Sequence, residues 1–274
     1  MNTDALFLAG INGLYLLSFV LFVLHFFHGG EAWKPWANRL LGIGFLASIA
    51  FETVQVVASG SLLPITALYQ ALFFFSWCMV LVYLLMSWKL QLDTFGIILL
   101  PLILAMSGTS LVCLKQPPAP TYSHNQWFLV HILTAFLAYA SFALSFVGAL
   151  LYLVQNRGLK SKKINTFYHK LPSLESLESV VYRTMVFGFP LLTLALASGF
   201  FWTKDVYGVF WRWDPKFVAS TLTWLIYLGI LYSRYISLVR GRKAVMASVF
   251  AFFCAMLTFL GVNFFESNVH SFLK

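Results

Sequence analysis

The chain has 274 residues, of which 60% are hydrophobic and 10% are charged. A soluble domain carries about a quarter charged residues, so this composition excludes an ordinary soluble protein. The net charge of +9 would suggest nucleic acid as a partner of a soluble protein. Here the basic residues stand at the ends of apolar segments, which indicates membrane topology instead. We therefore expect the lipid bilayer as a partner and no nucleic acid.

Eight apolar stretches are long enough for transmembrane helices, each of which needs about 20 residues. The sequence predicts an all-α integral membrane protein with both termini on the outer side, and its helices are expected near 5–27, 38–58, 66–87, 95–114, 127–154, 180–201, 217–237 and 245–265. Residues 1–274 are predicted to form a single membrane domain with an outer loop at 202–216. The polar segment 155–179 is expected to divide it into two halves. The start of the chain lacks the basic region of a signal peptide, so the first helix is expected in the mature protein.

The distribution of basic residues sets the orientation. With the N-terminus outside, the inner loops hold 13 of the 18 lysines and arginines. Cytoplasmic loops are enriched in these residues, which supports this orientation and predicts the cell inner (plasma) membrane. The five outer basic residues are Lys115, Lys204, Arg212, Lys216 and Lys274.

Three polar residues in the first two helices allow more than one interpretation. His25 and His28 stand at the inner end of the first helix, where an interfacial cap or an inner ligand to a metal-containing cofactor would both fit. Glu52 lies within the second helix, where a charge costs roughly 2.5–3.5 kcal/mol at the bilayer centre on insertion scales. It is expected to be protonated, to face a polar cavity, or to approach the outer surface.

The fifth helix carries a stripe of small residues, which favours close helix packing in lipid. The stripe consists of Ala138, Ser141, Ser145 and Gly148. The three cysteines are scattered in hydrophobic segments without a Cys-x-x-Cys pair, so a thiol relay or haem attachment to this chain is not expected.

The segment 202–216 interleaves aromatic residues with charges of both signs. An interfacial aromatic belt is one interpretation. The density of tryptophan also fits a surface for a flat apolar ligand, with Lys204, Arg212 and Lys216 placed to meet its carboxylates. His131 at the outer mouth of the fifth helix and His270 after the last helix lie on the same predicted side. A single interfacial histidine is usually a hydrogen-bonded residue, but two could complete a six-coordinate haem iron.

These motifs resemble the cytochrome c assembly proteins of the CcsA, CcmC and HemX type, over nearly the whole chain from about residue 60. The tryptophan-rich signature of that family has the form Ser-Gly-x-x-Trp followed by Gly-x-x-Trp-x-Trp-Asp-Pro-Lys. Its two parts match Ser198–Trp202 and Gly208–Lys216 here. Four further segments also resemble the family: Pro64–Trp77, Thr223–Tyr227, Gly261–Asn263 and Val269–Ser271.

The resemblance implies a non-covalent haem b bound at the outer face. The loop would form a platform for haem, with Trp202, Trp211, Trp213 and Asp214 as cofactor-binding residues. By motif, the axial ligands to the iron fall on His131 and His270. The implied partners are haem, apocytochrome c and a separate cytochrome c assembly subunit.

Four positions, in three segments, depart from the family pattern. Where the family has Leu-Tyr-Glu-Ser, this chain has Gln70 and Ala71 at the last two positions. Where the family has glutamate after Asp-Pro-Lys, this chain has Phe217. At the inner end of the seventh helix, Tyr232 stands where CcsA-type proteins have a histidine that helps receive haem. Tyrosine can bind haem iron, so an inner site would be weakened or altered. The inner haem-ligand alternative for His25 and His28 would replace the missing histidine.

The resemblance supports one leading function and two alternatives. The leading one is binding of haem and its presentation for cytochrome c maturation. A HemX-type protein that binds haem and regulates haem biosynthesis is the second, and an exporter of haem or another small molecule is the third. No side chain is recognisable as a general acid or nucleophile, so whether the chain is a component of an enzymatic haem-attachment system stays open.

Overall fold

The computed structural model describes residues 3–30, 32–60, 65, 68–88, 90, 92, 94–112, 125–161, 166–236 and 238–261. Eight of the helices in these residues are long and apolar enough to cross a membrane, which confirms the predicted all-α class. The orientation of the termini stays a prediction. The helices are α1 (Thr3–His28), α2 (Trp33–Ser59), α3 (Leu68–Ser87), α4 (Phe95–Val112), α5 (Gln126–Ser161), the short α6 (Thr166–His169), α7 (Leu174–Tyr207), α8 (Pro215–Tyr235) and α9 (Arg242–Met256), with a π-helical turn at Leu257–Gly261.

The chain forms two compact units, Met1–His124 and Asn125–Lys274. The boundary therefore falls between α4 and α5, and the expectation that segment 155–179 divides the chain is wrong. That segment lies inside the second unit, where α5 continues to Ser161 because polar side chains do not interrupt backbone hydrogen bonding in a helix. Whether the two units act as a single membrane domain stays a prediction.

In the first unit, α1 packs against α2 and α4, and α3 packs against α4. Buried hydroxyls tie α1 to α2: the Tyr15 hydroxyl lies 2.9 Å from Ser48 Oγ, and Ser18 Oγ donates to the Ala37 carbonyl over 2.8 Å. Gly44 allows the close approach, because a Cβ at that position would lie 2.7 Å from the Tyr15 ring. Hydrogen bonding by otherwise buried hydroxyls is a source of helix association in lipid.

In the second unit, α5 packs along α7, with α8 against α7 and α9, and α9 against α5. Ser145 Oγ donates to the Val181 carbonyl over 3.0 Å. A Cβ at Gly188 would lie only 2.8 Å from the Phe142 ring, so the two helices meet at small residues. The predicted stripe is therefore confirmed as a packing face; its buried members are Ala138, Ser141, Ser145 and Gly148.

The tryptophan-rich loop is shorter than the predicted 202–216. Helix α7 continues to Tyr207 and ends where Gly208 adopts a left-handed conformation, with φ of 75°. The Gly208 N–H donates to the Lys204 carbonyl over 2.8 Å and closes the last turn. Only residues 208–214 are non-helical, because the polar residues before Gly208 do not stop a helix, whereas glycine readily adopts this conformation.

Candidate functional site

His131 lies in the second turn of α5 and contacts α7. Its Nδ1 atom lies 2.7 Å from the carbonyl oxygen of Ala195. A carbonyl can only accept, so Nδ1 carries the hydrogen, and in a neutral imidazole Nε2 then keeps its lone pair. Histidines that bind metals usually donate their other ring N–H in this way, which fixes the tautomer. His131 therefore has the arrangement of a ligand with a free Nε2.

The surroundings of His131 come from one face of α7. Ala195, Gly199 and Trp202 are spaced at i, i+4 and i+7, which places them on the same side of a helix. The Trp202 side chain is 2% exposed, and its ring lies nearly parallel to the His131 ring at a centroid distance of 6.3 Å. Of the predicted site residues, the structure thus brings His131 and Trp202 together.

Asp214 is the N-cap residue of α8. Its Oδ1 accepts a hydrogen bond of 2.8 Å from the backbone N–H of Phe217, and Pro215 follows at the first helical position. Asp–Pro at a helix start satisfies one backbone donor and presets the helical φ. Asp214 therefore positions the loop through the backbone.

Trp211 lies inside an aromatic cluster at this end of the unit. Its ring is 6.0 Å from Phe200, 5.4 Å from Trp213 and 5.7 Å from Phe217, measured between centroids. The indole Nε1 is buried and has no hydrogen-bond partner among the residues that the structure describes. A buried donor without an acceptor is unfavourable, so this N–H is suited to an acceptor on a ligand.

Trp213, in contrast to Trp211, is largely exposed, with a relative exposure of 86%. It contacts Trp211 edge to face, so the cluster extends from a half-buried indole to an open one. An interfacial belt alone would also expose aromatic rings. The contiguous packing of Phe200, Trp211, Trp213 and Phe217 adds a continuous apolar surface that a belt does not require.

Charged side chains lie against other aromatic rings of the same segment. Lys204 Nζ lies 4.4 Å from the centre of the Phe210 ring, and the Arg212 guanidinium lies 4.2 Å from the centre of the Tyr207 ring. Asn125 Nδ2 donates to Asp205 over 3.1 Å and joins the start of α5 to the end of α7. Contact of Lys204, Arg212 and Lys216 with ligand carboxylates stays a prediction.

The donor set fits haem better than a bare metal ion. Among the described residues, no three His, Cys, Asp or Glu side chains form a group that could hold an ion. Haem needs only one or two axial ligands from the protein, because the porphyrin supplies the other four. His131 offers one free nitrogen beside the Trp202 ring. The loop separately supplies the aromatic surface of Trp211 and Trp213. An axial nitrogen and flat apolar rings are what haem requires.

The remaining predicted residues have different outcomes. His270 lies outside the described residues, so its part in the site stays a prediction. Tyr232 is 62% exposed near the other end of α8. His25 Nδ1 lies 3.0 Å from the Gly30 carbonyl, a hydrogen bond that supports its interpretation as a cap at the end of α1.

Glu52 lines a cavity in the first unit, which matches the polar-cavity alternative. The cavity is also lined by Asp4, Gln55, Tyr69 and Gln70.

Sequence reasoning missed the contact between His131 and Ala195, although the small residues at 195 and 199 mark the face of α7 that can approach a ring closely.

Comparison with known proteins identifies the family. The sequence model of the "Cytochrome C assembly protein" family matches residues 65–270. The chain is 28% identical over 230 residues to the cytochrome c biogenesis protein CcsA of Guillardia theta, with 76% of each chain covered. It is 25% identical to the CcsA of Trieres chinensis, which covers 92% of this chain and 93% of the relative.

A solved structure also has a similar fold. The "Cytochrome c Heme Lyase CcmF" matches with a TM-score of 0.64 over 96% of this chain and 18% sequence identity. The chain spans about half of that protein, 49% of its length, and at this identity the likeness concerns the fold alone. Together with the family match, these findings show that the chain belongs to the cytochrome c assembly protein family and is a CcsA-type multi-pass membrane protein of cytochrome c biogenesis.

Proposed function

We propose that the protein binds haem b non-covalently in its second unit and presents it to apocytochrome c. The site lies where the start of α5, the end of α7 and the loop 208–214 meet. The observation that carries the proposal is the hydrogen bond of 2.7 Å from His131 Nδ1 to the Ala195 carbonyl, which leaves Nε2 free beside the Trp202 ring.

Each residue of the site has a distinct task in this proposal. His131 supplies one axial nitrogen, and His270 supplies the second. The rings of Trp202, Trp211 and Trp213 bury the flat apolar faces, while the unpartnered Trp211 N–H donates to a haem carboxylate. Asp214 holds the loop in place through the Phe217 N–H.

When bound, haem supplies the vinyl groups to which cytochrome thiols become joined, since the chemistry belongs to the cofactor. The chain's own contribution is orientation, axial ligation and exclusion of oxidants. Delivery of the apocytochrome needs a further partner, which we propose is a separate assembly subunit. The site faces the outer side of the membrane in this proposal, as the distribution of basic residues predicts.

A second candidate function is HemX-type binding of haem that regulates haem biosynthesis. The observation that favours it is Tyr232 at the end of α8, in place of a histidine, with 62% of its side chain exposed. Both candidates share the His131 site and differ in what happens to the haem.

The first test is the absorption spectrum of the protein purified in mild detergent. We expect the Soret and α bands of b-type haem, lost on extraction with acidic acetone because no thioether bond holds it. A colourless protein that also fails to take up added haem would exclude both candidates. The content of c-type cytochromes in a strain lacking the protein separates them: a loss supports presentation, and normal content with altered haem synthesis supports regulation.

A further inference from the structure

Gly199 is a helical residue whose backbone conformation does not require glycine. Among the described glycines, four have a positive φ, and Gly199 is not one of them. The four are Gly29, Gly60, Gly208 and Gly241. Glycine weakens a helix interior relative to alanine. A reason for glycine here must therefore come from its neighbours.

The neighbour is the ring of His131. A Cβ on residue 199 would lie 3.0 Å from His131 Nδ1 and 3.2 Å from Cε1. Both distances are shorter than an ordinary van der Waals contact, so a side chain at 199 would push this edge of the ring away. The same edge holds the hydrogen of the bond to Ala195, one turn earlier in α7.

The carbonyl of Ala195 and the bare Cα of Gly199 thus act on the same edge of one ring. The carbonyl selects the tautomer by accepting from Nδ1–H, and Gly199 allows the ring to come within 2.7 Å of that carbonyl. Trp202, one further turn along, lies nearly parallel to the ring, at an interplanar angle of 15°. These three residues fix the direction in which Nε2 points.

We propose that Ala195 and Gly199 form a histidine dock, which holds His131 as its Nδ1–H tautomer and points Nε2 at the haem iron. The inference rests on the proposed haem site and adds a role for two residues that do not touch haem. Gly199 is a positioning residue, because it acts through His131. Partners that orient a ligand in this way typically change affinity 10–100-fold when altered.

The test compares two glycines of the second unit. Gly199→Ala and Gly199→Val add volume against His131, whereas Gly229→Ala and Gly229→Val add it in α8, where a Cβ would meet nothing within 4 Å. We expect haem affinity to fall about 10-fold or more in Gly199→Val, and less in Gly199→Ala. Imidazole should restore the parent absorption spectrum, because it can occupy the position that His131 no longer reaches. The Gly229 variants should resemble the parent.

A second arm needs no haem. In ¹⁵N-histidine NMR spectra of the haem-free protein, with the His131 signal assigned by its loss in His131→Ala, the parent should show the hydrogen on Nδ1. Gly199→Val should shift it toward Nε2, which is the site favoured in free histidine. A parent ring with the hydrogen on Nε2, or Gly199 variants with unchanged tautomer and unchanged haem spectrum, would overturn the dock. Absence of haem in the parent would overturn the proposed function, while the NMR arm would still decide whether the dock exists.

Discussion

The Nδ1 atom of His131 and the carbonyl oxygen of Ala195 lie 2.7 Å apart, although the two residues are separated by 64 positions in the sequence. The bond joins the beginning of α5 to the second half of α7, toward the end of the unit where the loop 208–214 begins. Because it uses Nδ1–H, it determines which nitrogen remains for a ligand. The predictions for the site follow from this assignment.

The first prediction concerns the axial ligands. Replacing His131 or His270 with Ala should remove one iron bond and leave part of the haem in place, because the aromatic surface still buries the porphyrin. Free imidazole should restore the parent Soret band in either single variant, and the double variant should lose most of its haem. If both single variants keep the parent spectrum and haem content, these histidines are not ligands.

The second prediction separates the N–H of Trp211 from its ring. Trp211→Phe keeps an aromatic side chain but removes the buried donor, so a lost hydrogen bond to a charged carboxylate should weaken haem binding by about 1.5–3 kcal/mol, roughly 10- to 150-fold. Imidazole should not rescue it, since no iron ligand is missing. The control is Trp224→Phe, whose indole N–H donates to Thr193 over 2.9 Å outside this cluster. Equal haem affinity in the two variants would contradict the role of the Trp211 N–H.

The membrane-spanning helices could be predicted from the sequence because apolar length alone identifies them. Their ends could not, since helix α7 continues through polar residues to Tyr207 and stops only at Gly208. The division of the chain was also misjudged at the polar segment 155–179. Packing between helices determines compact units, and polarity of a connecting segment does not.

The candidate site could be predicted in part. His131 and the loop were identified by residue type. Asp214 was expected as a cofactor-binding residue, and the structure shows it positioning the loop through a hydrogen bond from the Phe217 N–H. The docking face on α7 was missed, because only the distance between helices shows why position 199 must lack a side chain. The small residues Ala195 and Gly199 allow the His131 ring to approach α7 closely, but small residues at this spacing are also found in ordinary helix packing.

The third prediction tests the packing of α5 on α7. Gly188→Ala would place a Cβ 2.8 Å from the Phe142 ring and 2.9 Å from Ser141 Cβ. Such overpacking should lower stability by about 1–3 kcal/mol, despite the better helix propensity of alanine. Thermal unfolding in detergent should show a lower midpoint for this variant. Gly229→Ala, in open surroundings, should leave the midpoint equal or slightly higher; an equal fall in both would refute the packing argument.

The fourth prediction concerns the opposite end of the second unit. The Glu178 carboxylate forms an ion pair with Arg234 and accepts a 2.9 Å hydrogen bond from the Gly241 N–H, so it connects α7 to the turn between α8 and α9. Glu178→Ala should lower stability by about 1–2 kcal/mol, because it leaves a partly buried donor unpaired. Glu178→Gln should lower stability by less. Because it removes the ion pair, the stability of this variant should no longer depend on salt concentration through that pair. Thermal unfolding at low and high salt measures both effects, with Glu175→Ala, an exposed first-turn residue, as the control.

The fifth prediction is the orientation of the site in the membrane. The loop 208–214 should face outside and the turn between α8 and α9 should face inside, because Arg240 lies in that turn and Arg242 and Lys243 follow it. Val209 and Leu238 are 47% and 74% exposed, so a cysteine at either position should be open to reagents.

In intact cells, a membrane-impermeant maleimide should label Val209→Cys and should label Leu238→Cys only after the membrane is opened. The parent protein controls for its native thiols, of which Cys78 is buried and Cys254 is half-buried. Labelling in the reverse order would place the His131 end of the second unit on the inner side. Haem bound there would then be inaccessible to an apocytochrome outside, and presentation at the outer face would have to be abandoned even if the protein binds haem.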